Sequence, residues 1–170
     1  MLPLAFTAFR QQSYAASEDG ERMTSAANVG LRAALCSEVV MNSRKSCAEV
    51  KVVQMASPMM IGVARPTVDV SAQTAYNSAG FWGMYSNSGM LFRAATGHLW
   101  QGKHGYAAGD VLRLLLDSDA GTLTVKKNGP LLGVAVTQGL KGDLCWAARC
   151  ASRRWTRWSY EAAAISACKT

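Results

Sequence analysis

The dipeptide Asn128-Gly129 stands between Thr122-Leu123-Thr124-Val125-Lys126, where polar and apolar residues alternate, and the apolar run Leu131-Leu132-Gly133-Val134-Ala135-Val136. Asn and Gly tolerate the positive φ that a type I′ turn demands at both central positions, and that turn matches the twist of the strands it joins. A β-hairpin is expected here, with Leu123 and Val125 on the buried face. Just upstream, Val111-Leu112-Arg113-Leu114-Leu115-Leu116 is a nearly continuous apolar run bounded by Asp110 and Asp117. Its brevity and flanking turn residues make it a core strand, and Asp117-Ser118-Asp119-Ala120-Gly121 supplies the next turn.

The same punctuation recurs along the chain. Ala48 to Gln54, Met59 to Ala64, Ala79 to Tyr85, Met90 to Arg93 and Leu144 to Cys150 are short apolar segments separated by Gly, Asn, Asp, Ser and Pro. About eight or nine strands with no helix between them describe an antiparallel sandwich or barrel, because parallel strands need crossover helices. The sandwich is the preferred form, with one short terminal helix expected at Ala162 to Ala167. Residues 1–30 show no sustained apolar period and read as a loosely ordered leader, 31–160 as the β-sandwich domain and 161–170 as a C-terminal tail. The opening MLPLAFTAFRQQSYAAS has no acid and one base, Arg10. It lacks the repeated arginines of a transit peptide and the positive n-region of a secretory signal.

With 170 residues, 49% of them apolar and 17% charged, the chain has the size and composition of one ordinary domain. Its apolar runs stop short of the roughly 20 residues that a membrane helix needs. Lys plus Arg exceed Asp plus Glu by 18 − 11 = 7, which allows attraction to an acidic protein surface, a nucleic acid or an anionic membrane without choosing among them. The five cysteines form an odd set without C-x-x-C spacing, so no zinc knuckle or disulfide framework is read, and a reducing, cytoplasmic setting is the default expectation.

Gly109-Asp110-Val111-Leu112, Leu116-Asp117, Gly121-Thr122-Leu123, Asn128-Gly129 and Leu132-Gly133-Val134-Ala135 follow one another at a spacing that resembles the SPRY (B30.2) family. Ala48-Glu49-Val50-Lys51-Val52, Ile61-Gly62-Val63-Ala64, Gly80-Phe81-Trp82-Gly83-Met84-Tyr85 and Leu144-Cys145-Trp146-Ala147 are similar to further strands of that family, so the likeness covers roughly residues 31–152. Cys47-Ala48, Arg113, Val136 and Trp146 depart from the usual residues. The resemblance implies an all-β, antiparallel β-sandwich of the concanavalin A-like jelly-roll type, an intracellular adaptor whose end loops bind a short peptide segment of a partner protein without catalysis. A rigid sandwich carrying variable loops places contact residues at little ordering cost.

Several enzyme-like patterns weaken on inspection. Gly97-His98-Leu99-Trp100-Gln101-Gly102-Lys103-His104 matches a nucleotide-binding P-loop except at its last position, where His104 replaces the hydroxyl that ligates magnesium, and no helix-forming stretch follows. Asp117, Asp119 and Gly121 resemble the start of a calcium loop, but Thr122 and Asn128 occupy the places of its Gly and bidentate Glu. These aspartates are expected to bond turn amides instead. His98, His104 and the thiols sit in no nucleophile or metal signature. No cofactor and no metal is therefore expected.

Arg65 to Ser78 and Arg93 to Ala108 are longer than hairpins require and are taken as contact loops. Arg65, Tyr76 and Trp100 are the preferred anchors, since Arg and aromatic residues combine contact area with a polar handle. The plainer reading is that Tyr76 and Trp100 finish the ends of the core; Trp82, on a strand that reads as buried, is assigned to the core itself. The rival function is nucleic-acid binding through Arg149, Arg153, Arg154, Trp155, Arg157 and Trp158, whose basic and aromatic residues interleave. Its own plainer reading is a solvated final strand. The expected partner is a protein, the chain a monomer, and membrane binding absent.

Overall fold

A computed structural model describes residues 4–11, 13–25, 32–55, 57–102, 104–150 and 162–167. The strands are β1 (Ala8–Phe9), β2 (Tyr14–Ala16), β3 (Arg22–Ser25), β4 (Ala34–Leu35), β5 (Lys45–Gln54), β6 (Met59–Ala64) and β7 (Phe81–Tyr85). They continue with β8 (Leu91–Arg93), β9 (Thr96–His98), β10 (Val111–Asp117), β11 (Thr122–Lys127), β12 (Leu131–Val136), β13 (Cys145–Cys150) and β14 (Ala162–Ala167). One sheet runs β1-β4-β13-β6-β7-β8-β9 and the other β12-β11-β10-β5-β14-β3-β2, with every pairing antiparallel. The fold is an antiparallel β-sandwich. Among the described residues the helical content is a single 3-10 turn, Ala75–Asn77.

Alternation decides which side chains fill the space between the sheets. Leu112, Leu114 and Leu116 of β10 are buried together with Leu123 and Val125 of β11 and Ala48, Val50 and Val52 of β5. Ile61, Val63, Trp82 and Trp146 meet them from the opposite sheet. On the solvent face Arg113 pairs directly across from Glu49, its Nη2 2.9 Å from the carboxylate. That is how a strand of the core accommodates an arginine.

β6 is buried along its whole length because its outer face is covered too. Met60 and Ala64 point into a second, smaller cluster with Leu35, Val68, Ala75, Phe81 and Ala147. The segment after β6 supplies Val68 and Ala75 to that cover, so a sheet buried on both faces gives an uninterrupted apolar run rather than an alternating one.

Residues 4–25, where a loosely ordered leader is expected from sequence, contribute β1 to β3 and bury Leu4, Phe6, Tyr14 and Met23. Tyr14 donates its hydroxyl to the Arg32 carbonyl at 2.6 Å. Ala162–Ala167, expected as a helix, is instead β14, inserted between β5 and β3. Sheet pairing on both sides overrides the helical preference of its alanines. Cys47, on β5, is disulfide-bonded, which the spacing of the cysteines did not indicate.

The hairpin is as its dipeptide dictates. Asn128 and Gly129 have φ of 53° and 105°, and Lys127 N–H donates to the Pro130 carbonyl at 3.0 Å. Asn128 also closes the neighbouring loop: its Nδ2 donates to Asp110 Oδ1 at 2.7 Å, and its Oδ1 accepts the Val111 amide at 2.8 Å. Asp110 further accepts the Ala107 amide at 2.8 Å and lies 3.4 Å from Lys127 Nζ. Partial burial pushes the Asp110 carboxyl up, but the hydrogen bonds from Asn128 and Ala107 and the Lys127 charge together outweigh it and hold it below the usual carboxylate range.

Two outcomes follow for stability. A Cβ on Gly129 meets nothing within 4 Å, so Gly129→Ala isolates backbone strain and is expected to cost about 1–3 kcal/mol in urea unfolding. Asp110 has a depressed folded pKa, so its contribution is present above its unfolded value near pH 4 and is lost as the pH falls through the lower folded value. Asp110→Asn should lower stability at neutral pH by about 1–2 kcal/mol and flatten the acid limb of a stability-against-pH curve. An unchanged acid limb would assign the low-pH loss to other carboxylates.

Candidate functional site

At one end of the first sheet, the β7–β8 register sets Trp82 beside Arg93, and Arg65 follows the last residue of β6. The Arg65 N–H donates to the Gly80 carbonyl at 2.7 Å and holds that corner closed. Both guanidinium groups lie against the same indole: Arg65 Cζ is 5.6 Å and Arg93 Cζ 5.0 Å from the ring centroid of Trp82. The ring attracts each cation through its quadrupole. Arg65 Nη1 donates to the Asp143 carbonyl at 3.0 Å, and Arg93 Nε to the Ala79 carbonyl at 3.4 Å. These bonds orient the side chains without neutralising them, and among the described residues neither arginine forms an ion pair.

Two adjoining depressions share Trp82 and Arg93. The smaller, about 370 Å³, is lined by Arg65, Thr67, Val68, Ser78, Ala79, Gly80 and Gly139 as well. The larger, about 740 Å³, runs over Leu91, His98, Leu99, Trp100 and Gln101 to Leu131 and residues 133–138 of β12 and its exit. Among the described residues no carboxylate lines either one. Trp82 is only 4% exposed and forms the floor between them.

The walls of the larger depression are mainly apolar. Leu99, Leu131 and Val134 are 68%, 63% and 41% exposed, and they account for three of the five large exposed hydrophobics among the described residues. Such clustering distinguishes a docking patch from scattered surface apolar residues. Register shifts on both sides of Thr124 and Val125 break the β11–β12 ladder, and Gly133 has φ 145°, so β12 does not keep a strict inside and outside alternation. Trp100 is pinned by its Nε1–H, which donates to the Gly89 carbonyl at 2.7 Å. A Cβ on Gly102 would lie 2.1 Å from the Leu132 oxygen, so the loop after β9 lies directly against β12.

Of the anchors expected from sequence, the structure brings Arg65 and Trp100 to the joined depressions. Tyr76 belongs to the 3-10 turn Ala75–Asn77. Sequence reasoning had not singled out Arg93, Leu99, Leu131 or Val134. Arg93 and Leu99 fall in a segment read as a contact loop. For β12 the available signal was an apolar residue on both faces of a strand next to a turn, more than one buried face can use.

The alternative stripe fares differently. Arg153, Arg154, Trp155, Arg157 and Trp158 lie outside the described residues, but Arg149, read as part of that stripe, is 4% exposed on β13. Strand alternation places it on the outer face of its sheet with Cys145 and Ala147, the face that the smaller cluster covers. The near-P-loop is divided between β9 and a loop; Lys103 lies outside the described residues, and the chain passes from 104–110 directly into β10 without a helix. Asp117 accepts the Ala120 amide at 2.9 Å, the turn role expected of it.

Two thiols are buried and free. Burial pushes the Cys36 thiol far up, aided by neighbouring Cys145, and burial pushes Cys145 up to about 12. Neither offers a thiolate nucleophile near neutral pH. Mass-spectrometric mapping after iodoacetamide treatment should leave Cys36 and Cys145 unmodified in the native protein and modify both after unfolding. Native labelling of either would contradict their burial.

Comparison with known proteins adds the family context. A profile of the SPRY domain matches residues 48–150. Among solved structures the chain is similar to the SPRY domain of human HERC1, at 18% identity and a TM-score of 0.74 over 94% of this chain and 95% of that one. It is also similar to the PSpry domain of TRIM65, at 13% identity and a TM-score of 0.65 over 99% of this chain and 90% of that one. Comparison with curated protein sequences finds no match.

Proposed function

The chain belongs to the SPRY domain family, whose members are generally protein-interaction modules, and from that premise we propose that it binds a short segment of a partner protein without catalysing a reaction. The observation that carries this reading is the continuous surface from Arg65 over Trp82 and Arg93 to Leu99, Trp100, Leu131 and Val134. Aromatic and arginine side chains dominate binding hot spots, and the exposed aliphatic residues beside them here add apolar contact area.

Rigidity supports the same reading. Trp100 and both arginines are held by hydrogen bonds to backbone carbonyls, so an incoming segment meets side chains that are already ordered. Less conformational freedom is then lost on association.

The test is a quantitative pull-down comparing the parent chain with Leu131→Asp/Val134→Asp and with Val40→Asp. All three replaced residues are exposed, but Val40 lines neither depression. The double variant should lose at least roughly nine-tenths of the partner retained by the parent, a difference of about 1.4 kcal/mol, while Val40→Asp keeps it. Equal capture by all three would place the binding surface elsewhere.

A further inference from the structure

We propose that the joined depressions select an acidic peptide: an extended segment of a partner protein in which an Asp or Glu carboxylate sits beside bulky aliphatic or aromatic residues. This rests on the protein-binding reading above and names the chemistry of its ligand. The carboxylate is received by Arg65 and Arg93 at Trp82, and the apolar residues lie along Leu99, Leu131 and Val134.

Charge complementarity is the first argument. Two cationic side chains lie against one indole, yet among the described residues no acidic side chain lines either depression. The three ion pairs among the described residues, Lys45–Asp117, Arg113–Glu49 and Lys127–Asp110, all belong to the opposite sheet and its loops. Arg65 and Arg93 each spend a donor on a backbone carbonyl, which fixes the fork while leaving further N–H groups for a ligand. A guanidinium matches a carboxylate geometrically and binds it more strongly than it binds a neutral acceptor. Contact with Trp82 keeps both forks in place before a ligand arrives.

The confinement of charge to one end is the second argument. Beyond Arg93 the larger depression offers His98 and then mainly apolar or neutral surface, with Leu99 and Leu131 more than half exposed. A polyanion such as a nucleic-acid strand would lay its next phosphates over these leucines, where their hydration is lost without replacement. A peptide can change from charged to apolar between adjacent residues, at roughly 3.3 Å per step in extended form. It therefore fits both halves of the surface.

The experiment selects short random peptides displayed on phage against the full chain, then measures the selected peptides by fluorescence polarisation. Enrichment of Asp or Glu next to Leu, Ile, Phe or Trp is expected. Arg93→Glu and Arg65→Glu should each weaken a selected peptide by roughly tenfold or more, as should replacing the peptide's own acid by its amide. Leu131→Asp should weaken it as well. Arg93→Ala and the amide peptide supply the same reading if a charge-reversed variant fails to fold, which its melting curve reports.

Selected peptides without acids, sensitive to Leu131→Asp but not to Arg93→Glu, would overturn the acidic ligand while leaving the docking surface. Binding insensitive to all of these changes, or no selected peptide at all, would overturn both. A phosphoserine version binding at least roughly tenfold more tightly than its Asp or Glu counterpart, or an oligonucleotide that displaces the peptide, would replace the carboxylate by a phosphate and overturn the proposal.

Discussion

The register of β10 between β5 and β11 is the constraint on which the remaining structure depends. Leu112 opposes Val50 and Lys127, Leu114 opposes Ala48 and Val125, and Leu116 opposes Ser46 and Leu123. A slip of one residue would turn all three leucines to solvent and drive Arg113 inward. Its entry is fixed by the clasp in which Asn128 holds both Asp110 and the Val111 amide, and its exit by the turn in which Asp117 accepts the Ala120 amide. Both ends of one strand are thus tied by short polar side chains, and the buried leucines between them favour only one alignment.

The candidate surface inherits its geometry from the opposite sheet. The chain leaving β6 packs Val68 and Ala75 onto the outer face of the sheet instead of extending into solvent, and so buries β6 on both faces. That path returns to β7 with Gly80 hydrogen-bonded to Arg65. Trp82 then contributes to the core and the floor of the site at once. Its indole is nearly buried, and the sides it leaves open carry the two arginines. A residue read from sequence as core alone therefore has a second role, made visible only by what stacks against it.

The sandwich was legible where one residue pattern determined one structure. Met59 to Ala64 and Leu131 to Val136 are strands with the boundaries read from sequence, and Asn128-Gly129 is the turn between β11 and β12. β1 to β3 were not legible because each is a few residues long and gains its stability from the sheet it joins, as the burial of Tyr14 and Met23 shows. β14 was hidden by alanines, whose local preference opposes its pairing with β5 and β3. At the site, Arg65 and Trp100 stood out by residue type and loop length. Leu131 and Val134 did not, because alternation predicts a buried face but not where bulges suspend it.

A terminal strand with exposed leucine and valine would ordinarily invite pairing with another chain. β12 lies at the end of its sheet, but two register shifts distort its ladder and the loop carrying Gly102 abuts the Leu132 carbonyl. The backbone edge is thereby partly occupied by the protein itself, while the side chains of Leu131 and Val134 remain outside. Strand addition would require displacing a loop anchored by the Trp100 to Gly89 hydrogen bond. Side-chain contact requires no displacement. The arrangement that protects the edge from nonspecific pairing is the same one that leaves a shaped apolar wall beside two arginines that form no ion pair among the described residues, so the proposed recognition would rest on the ligand's side chains more than on its main chain.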